Sequence, residues 1–314
     1  MAPATSSIGG PTLKALLATG KFKVTALVRP GSSHVFPSEV AVKEVNLYSF
    51  ESVVSALRGQ DAVVNETGIM DTAVHTRLID AAAAAGVYRL IPTEFGMEYD
   101  PATTAQLFPV FAYKIQTLAY LKEVTSKKRE TPEGEGSSNR LTWTAISTGP
   151  FLDWSLDLGF LGVDVKRKRA QLTDGGLVAL AQTTLADIGR AVAGALLRAA
   201  ETENRHVYVR SATKSQSELL ALAQDALGGD GEGWEVAAEN GREKYEWAMA
   251  ELARGNFTWD VGMYQIRYAV NEPKYAYAWA VNSRDRDDNA LLGLEGGMSD
   301  EQIKEMIREI AGRK

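Results

Sequence analysis

Lys114 lies in the run Val110-Phe111-Ala112-Tyr113-Lys114-Ile115-Gln116, a lysine with apolar neighbours on a helix expected over 108–124. Burying an ammonium is costly unless it is paired or gives up its proton. A lysine so placed can serve as an acid or base near neutral pH. The alternative is an aliphatic stem that carries its head to solvent. Tyr113 is adjacent but on another face of the helix. The tyrosine-then-lysine pair of short-chain dehydrogenases, four residues apart, is absent, because position 110 is valine.

Three further clusters are of types that bind phosphates and nucleosides. Residues 3–10 read Pro-Ala-Thr-Ser-Ser-Ile-Gly-Gly. Ser6, Ser7, Ile8, Gly9 and Gly10 could present backbone N–H groups to a pyrophosphate at the start of a helix, or they could be a plain flexible terminus. Arg29 closes a strand at 22–28. In a dinucleotide fold that position faces the adenosine ribose, where an arginine favours the 2′-phosphate of NADP; the bland reading is a surface arginine at a strand end. Asn65-Glu66-Thr67-Gly68 ends another apolar strand. There Thr67 and Gly68 would let the chain pass close to a ribose or pyrophosphate, although Glu66 is an odd neighbour for a phosphate and an ordinary loop fits nearly as well.

The elements that must hold these residues alternate strand and helix through the first 150 positions. Strands are expected at 22–28, 40–45, 61–65, 87–91 and 141–146. Helices are expected from Leu13 to Gly20, from Ser49 to Leu57, over 71–85 and over 108–124. Ser49 reads as an N-cap, and Gly59 and Gly86 as stops. Short, apolar, unalternating strands belong to a parallel sheet covered on both faces. A polar stretch over 126–140 reads as a surface loop. The second half mixes glycine-rich turns with helices at 185–200 and 217–227, a strand at 206–209, and a capped helix from Ser299 to about Ile310. Most tyrosines and tryptophans lie in 234–279, read as a smaller lobe over the strand ends. The expected division is 1–155 for a Rossmann-like NAD(P)-binding domain and 156–314 for a smaller α/β substrate lobe. The chain opens on a helix that feeds a strand, so the first strand of the first βαβ unit is apparently missing or truncated. An incomplete sequence, a lost strand, or a makeshift edge supplied by Met1 to Ser7 would each account for it.

The composition narrows the function. The 314 residues carry a net charge of -6, with short basic runs only at 127–129 and 166–169; nucleic acid is not the expected partner. There is no cysteine and only His34, His75 and His206, so no metal site is expected. No apolar run reaches the ~20 residues of a membrane span, and no signal-peptide core is evident. The expected setting is the cytoplasm, with no membrane contact, as a monomer or homodimer.

The chain resembles the NmrA-like, isoflavone reductase-like group of atypical short-chain dehydrogenases, and its fungal branch in particular. The resemblance rests on Val24-Thr25-Ala26-Leu27-Val28-Arg29, Leu78-Ile79-Asp80-Ala81-Ala82 to Gly86-Val87, and Ile91-Pro92-Thr93-Glu94-Phe95-Gly96. It continues in Thr148-Gly149-Pro150-Phe151-Leu152-Asp153-Trp154, Asp174-Gly175-Gly176 and Thr184-Leu185-Ala186-Asp187-Ile188-Gly189-Arg190. It implies NADPH as cofactor and Lys114 as the catalytic lysine. Pro92, Thr93 and Phe95 would lie beside the nicotinamide, and Gly149 and Phe151 where the second lobe closes on it. The family's glycine turn aligns with 3–9, where Pro3 and Ser6 replace two of its glycines. The implied activity is NADPH-dependent reduction of a small aromatic or polyketide-like metabolite. The alternatives are a redox-neutral isomerase, dehydratase or cyclase on the same scaffold, or a non-catalytic, dinucleotide-sensing regulator.

Overall fold

In a computed structural model the described residues are 8–98, 100–126, 141–228, 231, 233–275, 287–294 and 296–313. Four short strands, β3 (Ala62–Val64), β4 (Arg89–Ile91), β5 (Thr142–Ser147) and β9 (Arg205–Tyr208), form one sheet in that order. All its pairings are parallel. Two more strands, β1 (Thr25–Val28) and β2 (Ala41–Glu44), pair parallel as a separate ribbon.

Helices cover both faces. On one side α2 (Phe50–Leu57), α3 (Thr72–Ala84) and α5 (Ala112–Ser126) pack on the sheet. The core there includes Val53, Leu57, Leu78, Ile79, Leu121 and Trp143. Local chemistry sets the helix starts. Ser49 caps α2 by accepting from Ser52 N–H, and Asp71 caps α3 by accepting from Ala73 N–H. Positive φ at Gly20, Gly59 and Gly86 turns the chain after α1, α2 and α3. On the other side α1 (Gly9–Ala18) lies on α7 (Leu185–Leu197), over a core of Ile91, Ile146, Ile188, Val192 and Val207. The two approach so closely that a Cβ on Gly189 would sit 2.5 Å from the carbonyl oxygen of Pro11.

The second half adds β6 (Val163–Asp164), β7 (Arg169–Thr173) and β11 (Glu235–Glu239) as a three-stranded sheet, and β8 (Leu180–Gln182) with β10 (Ala212–Lys214) as an antiparallel pair. Around them lie α6 (Leu152–Leu158), α8 (Gln216–Gly228), α9 (Gly241–Ala253) and α10 (Trp259–Asn271). A buried ion pair fastens α10 to this sheet: Arg267 Nη1 is 3.2 Å from Glu239 Oε2 and 2.8 Å from Gln171 Oε1, and its Nε donates to Phe160 C=O. The C-terminal helix Asp300–Gly312 begins with a full capping box between Ser299 and Gln302 and buries Ile303, Ile307 and Ile310.

The structure corrects several boundaries. The helix expected over 108–124 is broken. Pro109 opens a 3₁₀ turn, Pro109–Phe111, before α5 begins, and an unanticipated helix α4 (Pro101–Leu107), capped by Asp100, precedes it. Proline at a first helical position starts a helix and cannot lie inside one. Strands β6, β7, β8, β10 and β11 escaped the sequence pattern because they are short and surrounded by polar turns. Positions 127–140 of the expected loop, and 276–279 of the aromatic segment, lie outside the described residues.

Candidate functional site at the carboxyl ends of the parallel strands

The strand ends converge on one edge of the sheet, where parallel α/β folds bind ligands. The loops after β4 and β5 are tied together: Thr148 and Gly149 N–H both donate to Gly96 C=O, at 2.9 and 3.0 Å. Gly149 has φ +61°, a conformation that costs glycine little. Phe151 bridges to Thr183, and Leu152 N–H donates to Thr183 C=O at 2.9 Å. Ile8, Phe95 and Phe151 pack into one cluster with Ile91 and Ile188. The structure therefore brings the start of α1, the loop after β4 and the loop after β5 to one place. Thr93 reaches Thr67 C=O at 3.4 Å, joining the loop after β3 to the same edge.

Lys114 is the third residue of α5 and is partly buried, its Nζ 5.6 Å from the centre of the Phe111 ring. Burial pushes its pKa below the usual lysine value, and the carboxylate of Glu94 works against that fall. Glu94 lies in the loop after β4. Its Oε1 is buried and has no hydrogen-bond partner among the described residues. Burial pushes the Glu94 carboxyl up, opposed by Lys114 and His206. An unpaired buried carboxylate oxygen is costly, and a functional group or ligand commonly accounts for one.

Beside Lys114, Tyr113 is buried and stacks on His75 with ring centres 5.2 Å apart. Burial and Glu94 raise the Tyr113 pKa, so its hydroxyl holds its proton. Burial lowers that of His75. The neutral imidazole is locked: Nε2 donates to Ile69 C=O at 2.7 Å, and Nδ1 faces Asn65 Nδ2 at 3.0 Å. Asn65 Oδ1 in turn accepts from Thr67 N–H at 3.2 Å. This chain of contacts shapes the loop after β3 and leaves Gly68 exposed with open space around its Cα.

Glu66 is half-buried and accepts from the Thr12 hydroxyl of α1. Burial raises its pKa to about 7, partly offset by that hydrogen bond. Arg29 is exposed at the end of β1 and lines a small cavity with Ser32, His34, Val45 and Leu47. Neither Phe95 nor Lys114 lines that cavity. Ser6 and Ser7 lie outside the described residues. Ile8 and Gly9 form the start of α1, where among the described residues no side chain caps the helix and the first turn carries no acid.

These features suit a dinucleotide. A helix start is a place where backbone N–H groups can meet a pyrophosphate, the open space at Gly68 admits close approach, and the exposed Arg29 suits a phosphate. Sequence reasoning missed the aromatic extension beyond Phe151. Trp154 lies 6.3 Å from Phe151, and Trp154, Phe160 and Trp259 form a mutual trio at 5.0–5.4 Å. It also missed Glu94 as a buried carboxylate. Its place in the Pro-Thr-Glu-Phe-Gly run was visible, but its burial was not.

Comparison with known proteins adds a lineage. A family model described as NAD(P)H-binding matches residues 4–196. The oxidoreductase aprR of Aspergillus flavus is 31% identical over 251 residues, covering 79% of each chain. Among solved structures, the fold is similar to that of isoflavone reductase, with a TM-score of 0.65 at 19% identity and 95% of each chain covered. It is also similar to AtPrR2 solved with NADP⁺ and (+)-pinoresinol, with a TM-score of 0.64 at 19% identity, covering 98% of this chain and 96% of that one.

Proposed function

The chain belongs to the NAD(P)H-binding family and is an NAD(P)H-dependent oxidoreductase, and we propose that it reduces a small aromatic or polyketide-like metabolite with NADPH, using Lys114 as the acid/base. The observation that carries this reading is a partly buried Lys114 within electrostatic reach of Glu94, whose buried Oε1 has no hydrogen-bond partner among the described residues. The relative solved with pinoresinol, a phenolic ligand, supports the substrate class.

When bound, NADPH supplies the hydride. The start of α1, from Ser6 and Ser7 through Ile8 and Gly9, would hold the pyrophosphate, with Thr67 and Gly68 beside it. Arg29 would meet the 2′-phosphate with charge-assisted hydrogen bonds. Pro92, Thr93, Phe95, Gly149 and Phe151 would form the wall against the nicotinamide, and residues 156–314 would close over the substrate as a second lobe. Phe95 and Phe151, packed together, exclude water from that wall. Lys114 would deliver a proton from Nζ to the substrate oxygen that gains charge, or take one from a phenol. Its lowered pKa places this exchange nearer neutral pH. Glu94 works against that fall.

The test is turnover on a panel of phenolic and ketone substrates with NADPH, for the wild type and Lys114→Met. Loss of the acid/base group is expected to lower kcat by roughly 10²–10⁴-fold while NADPH affinity holds. Undiminished turnover by Lys114→Met would remove the lysine from the mechanism. Product formation without NADPH consumption would select a redox-neutral reaction in the same site.

A further inference from the structure

A proton given up by Lys114 Nζ must be replaced from solvent before the next turnover. Around Lys114 lie titratable groups that proton delivery to a substrate does not itself use. Glu94 is within electrostatic reach of Lys114 and Lys122 of α5, of His206 of β9, and of Glu98 in its own loop. Tyr113 of α5 feels Glu94, and His75 of α3 feels Lys114. The strand register puts His206 under α5. Ala145 of β5 pairs with His206, and Ala145 and Trp143 belong to the core that α5 covers. His206 and Tyr208, two residues apart on β9, therefore share that face of the sheet.

The contacts form a graded series. His206 Nδ1 lies 3.0 Å from Glu98 Oε1, and the other oxygen of Glu98 accepts from the Tyr208 hydroxyl. The imidazole meets the Trp143 ring edge-on at 6.1 Å, and Lys122 Nζ is 5.5 Å from the centre of the same ring. The Glu98 side chain is 35% exposed and that of His206 12%. Glu94 Oε1, further in, is shut off from solvent with no hydrogen-bond partner among the described residues. Thr117, three residues along α5 from Lys114, is also buried, and its hydroxyl likewise has no partner among them. Unsatisfied buried oxygens of this kind call for an ordered water or a functional role.

We propose that Glu94 and the Glu98–His206 pair carry protons from solvent to Lys114, with Glu94 acting through the lysine as its proton reserve. This relay requires Lys114 to be the acid of the reduction, as proposed above. As the Nζ–H bond breaks, an O–H bond forms on the substrate and the amine is left neutral. His206, held at Nδ1 by Glu98, passes the proton of its other nitrogen to the Glu94 carboxylate, and the resulting carboxyl passes one to Nζ. The imidazole then takes a proton from solvent, so each turnover consumes one solvent proton with one hydride. An imidazole suits the outer position because its charge ordinarily changes between about pH 5 and 8. A buried carboxyl suits the inner one: burial favours its protonated form, while Lys114 and His206 favour the charged one.

The test compares Glu94→Gln and His206→Ala with the wild type. Lys114 is first titrated without substrate, by the pH dependence of its labelling with acetic anhydride, read by mass spectrometry. A nearby opposite charge supports the ammonium, so in Glu94→Gln the midpoint should fall by about one pH unit or more. Turnover is then followed across pH with NADPH and the fastest substrate of the phenolic and ketone panel. In His206→Ala, kcat should fall roughly tenfold, short of the 10²–10⁴-fold loss expected for the acid itself, with KM and NADPH affinity unchanged. Added imidazole should restore the rate. Pyrazole, of the same size but not protonated near neutral pH, should not, which separates proton transfer from the refilling of a cavity. An unmoved labelling midpoint in Glu94→Gln, wild-type kcat in His206→Ala, or equal rescue by both azoles would each overturn the proposal. If His206→Ala does not fold, or no panel member turns over, the labelling midpoint decides. Variants that match the wild type while Lys114→Met is inactive would remove the relay alone; undiminished turnover by Lys114→Met would remove the acid/base reading beneath it.

Discussion

Glu66 makes stability depend on pH in a direction opposite to that of most carboxylates. Its pKa rises from 4.5 in the unfolded chain to about 7 in the fold, because burial beside α1 disfavours the charged form. A folded-state pKa above the unfolded value means that the native protein binds the proton more tightly. This group's contribution is fully present below about pH 4.5, declines as pH rises, and is gone above about 7. The gap between 4.5 and about 7, at about 1.36 kcal/mol per pH unit, amounts to roughly 3 kcal/mol. Glu66→Gln keeps an oxygen for the Thr12 hydroxyl and removes the titration. Thermal or urea melts across pH 5 to 8.5 are the assay. At pH 5 the two proteins should be nearly equal in stability. At pH 8 the variant should be the more stable by roughly 3 kcal/mol, or about 6–12 °C for a chain of this size. Parallel stability profiles for the two proteins, or a variant weaker at pH 8, would refute the assignment of a buried, proton-retaining Glu66.

Other perturbations test the neighbouring features. Arg29→Ala should erase most of a preference for NADPH over NADH of tenfold or more, since one arginine–phosphate interaction contributes roughly 1.5–3 kcal/mol and tenfold requires about 1.4; equal affinities in the wild type, measured by fluorescence titration, would remove that role. Gly189→Ala would push a methyl to 2.5 Å from Pro11 C=O, so a loss of about 1–3 kcal/mol is expected in denaturant melts, along with weaker NADPH binding because α1 must shift. Ser299→Ala breaks the capping box far from the site and should cost about 1 kcal/mol with kcat unchanged; a fall in kcat would tie the C-terminal helix to catalysis.

Much of this was legible in the amino-acid order because the signals are local. Ser49 and Ser299 announce their helices by satisfying N–H groups within three residues. Gly20, Gly59 and Gly86 announce turns because they adopt left-handed conformations cheaply. Apolar runs such as Ala62–Val64 and Arg89–Ile91 announce strands buried on both faces, and so place Arg29, Thr67, Gly68, Pro92 and Phe95 at the ends of a parallel sheet. What tertiary structure alone decided depends on residues far apart in sequence. Glu94 became a buried carboxylate near Lys114 only when the loop after β4 folded against α5. Asn65, His75 and Tyr113 became one stack only when α3 met α5. Glu66 turned to Thr12 across 54 positions. Burial and long-range pairing belong to the assembled sheet, and no local pattern of side chains encodes them.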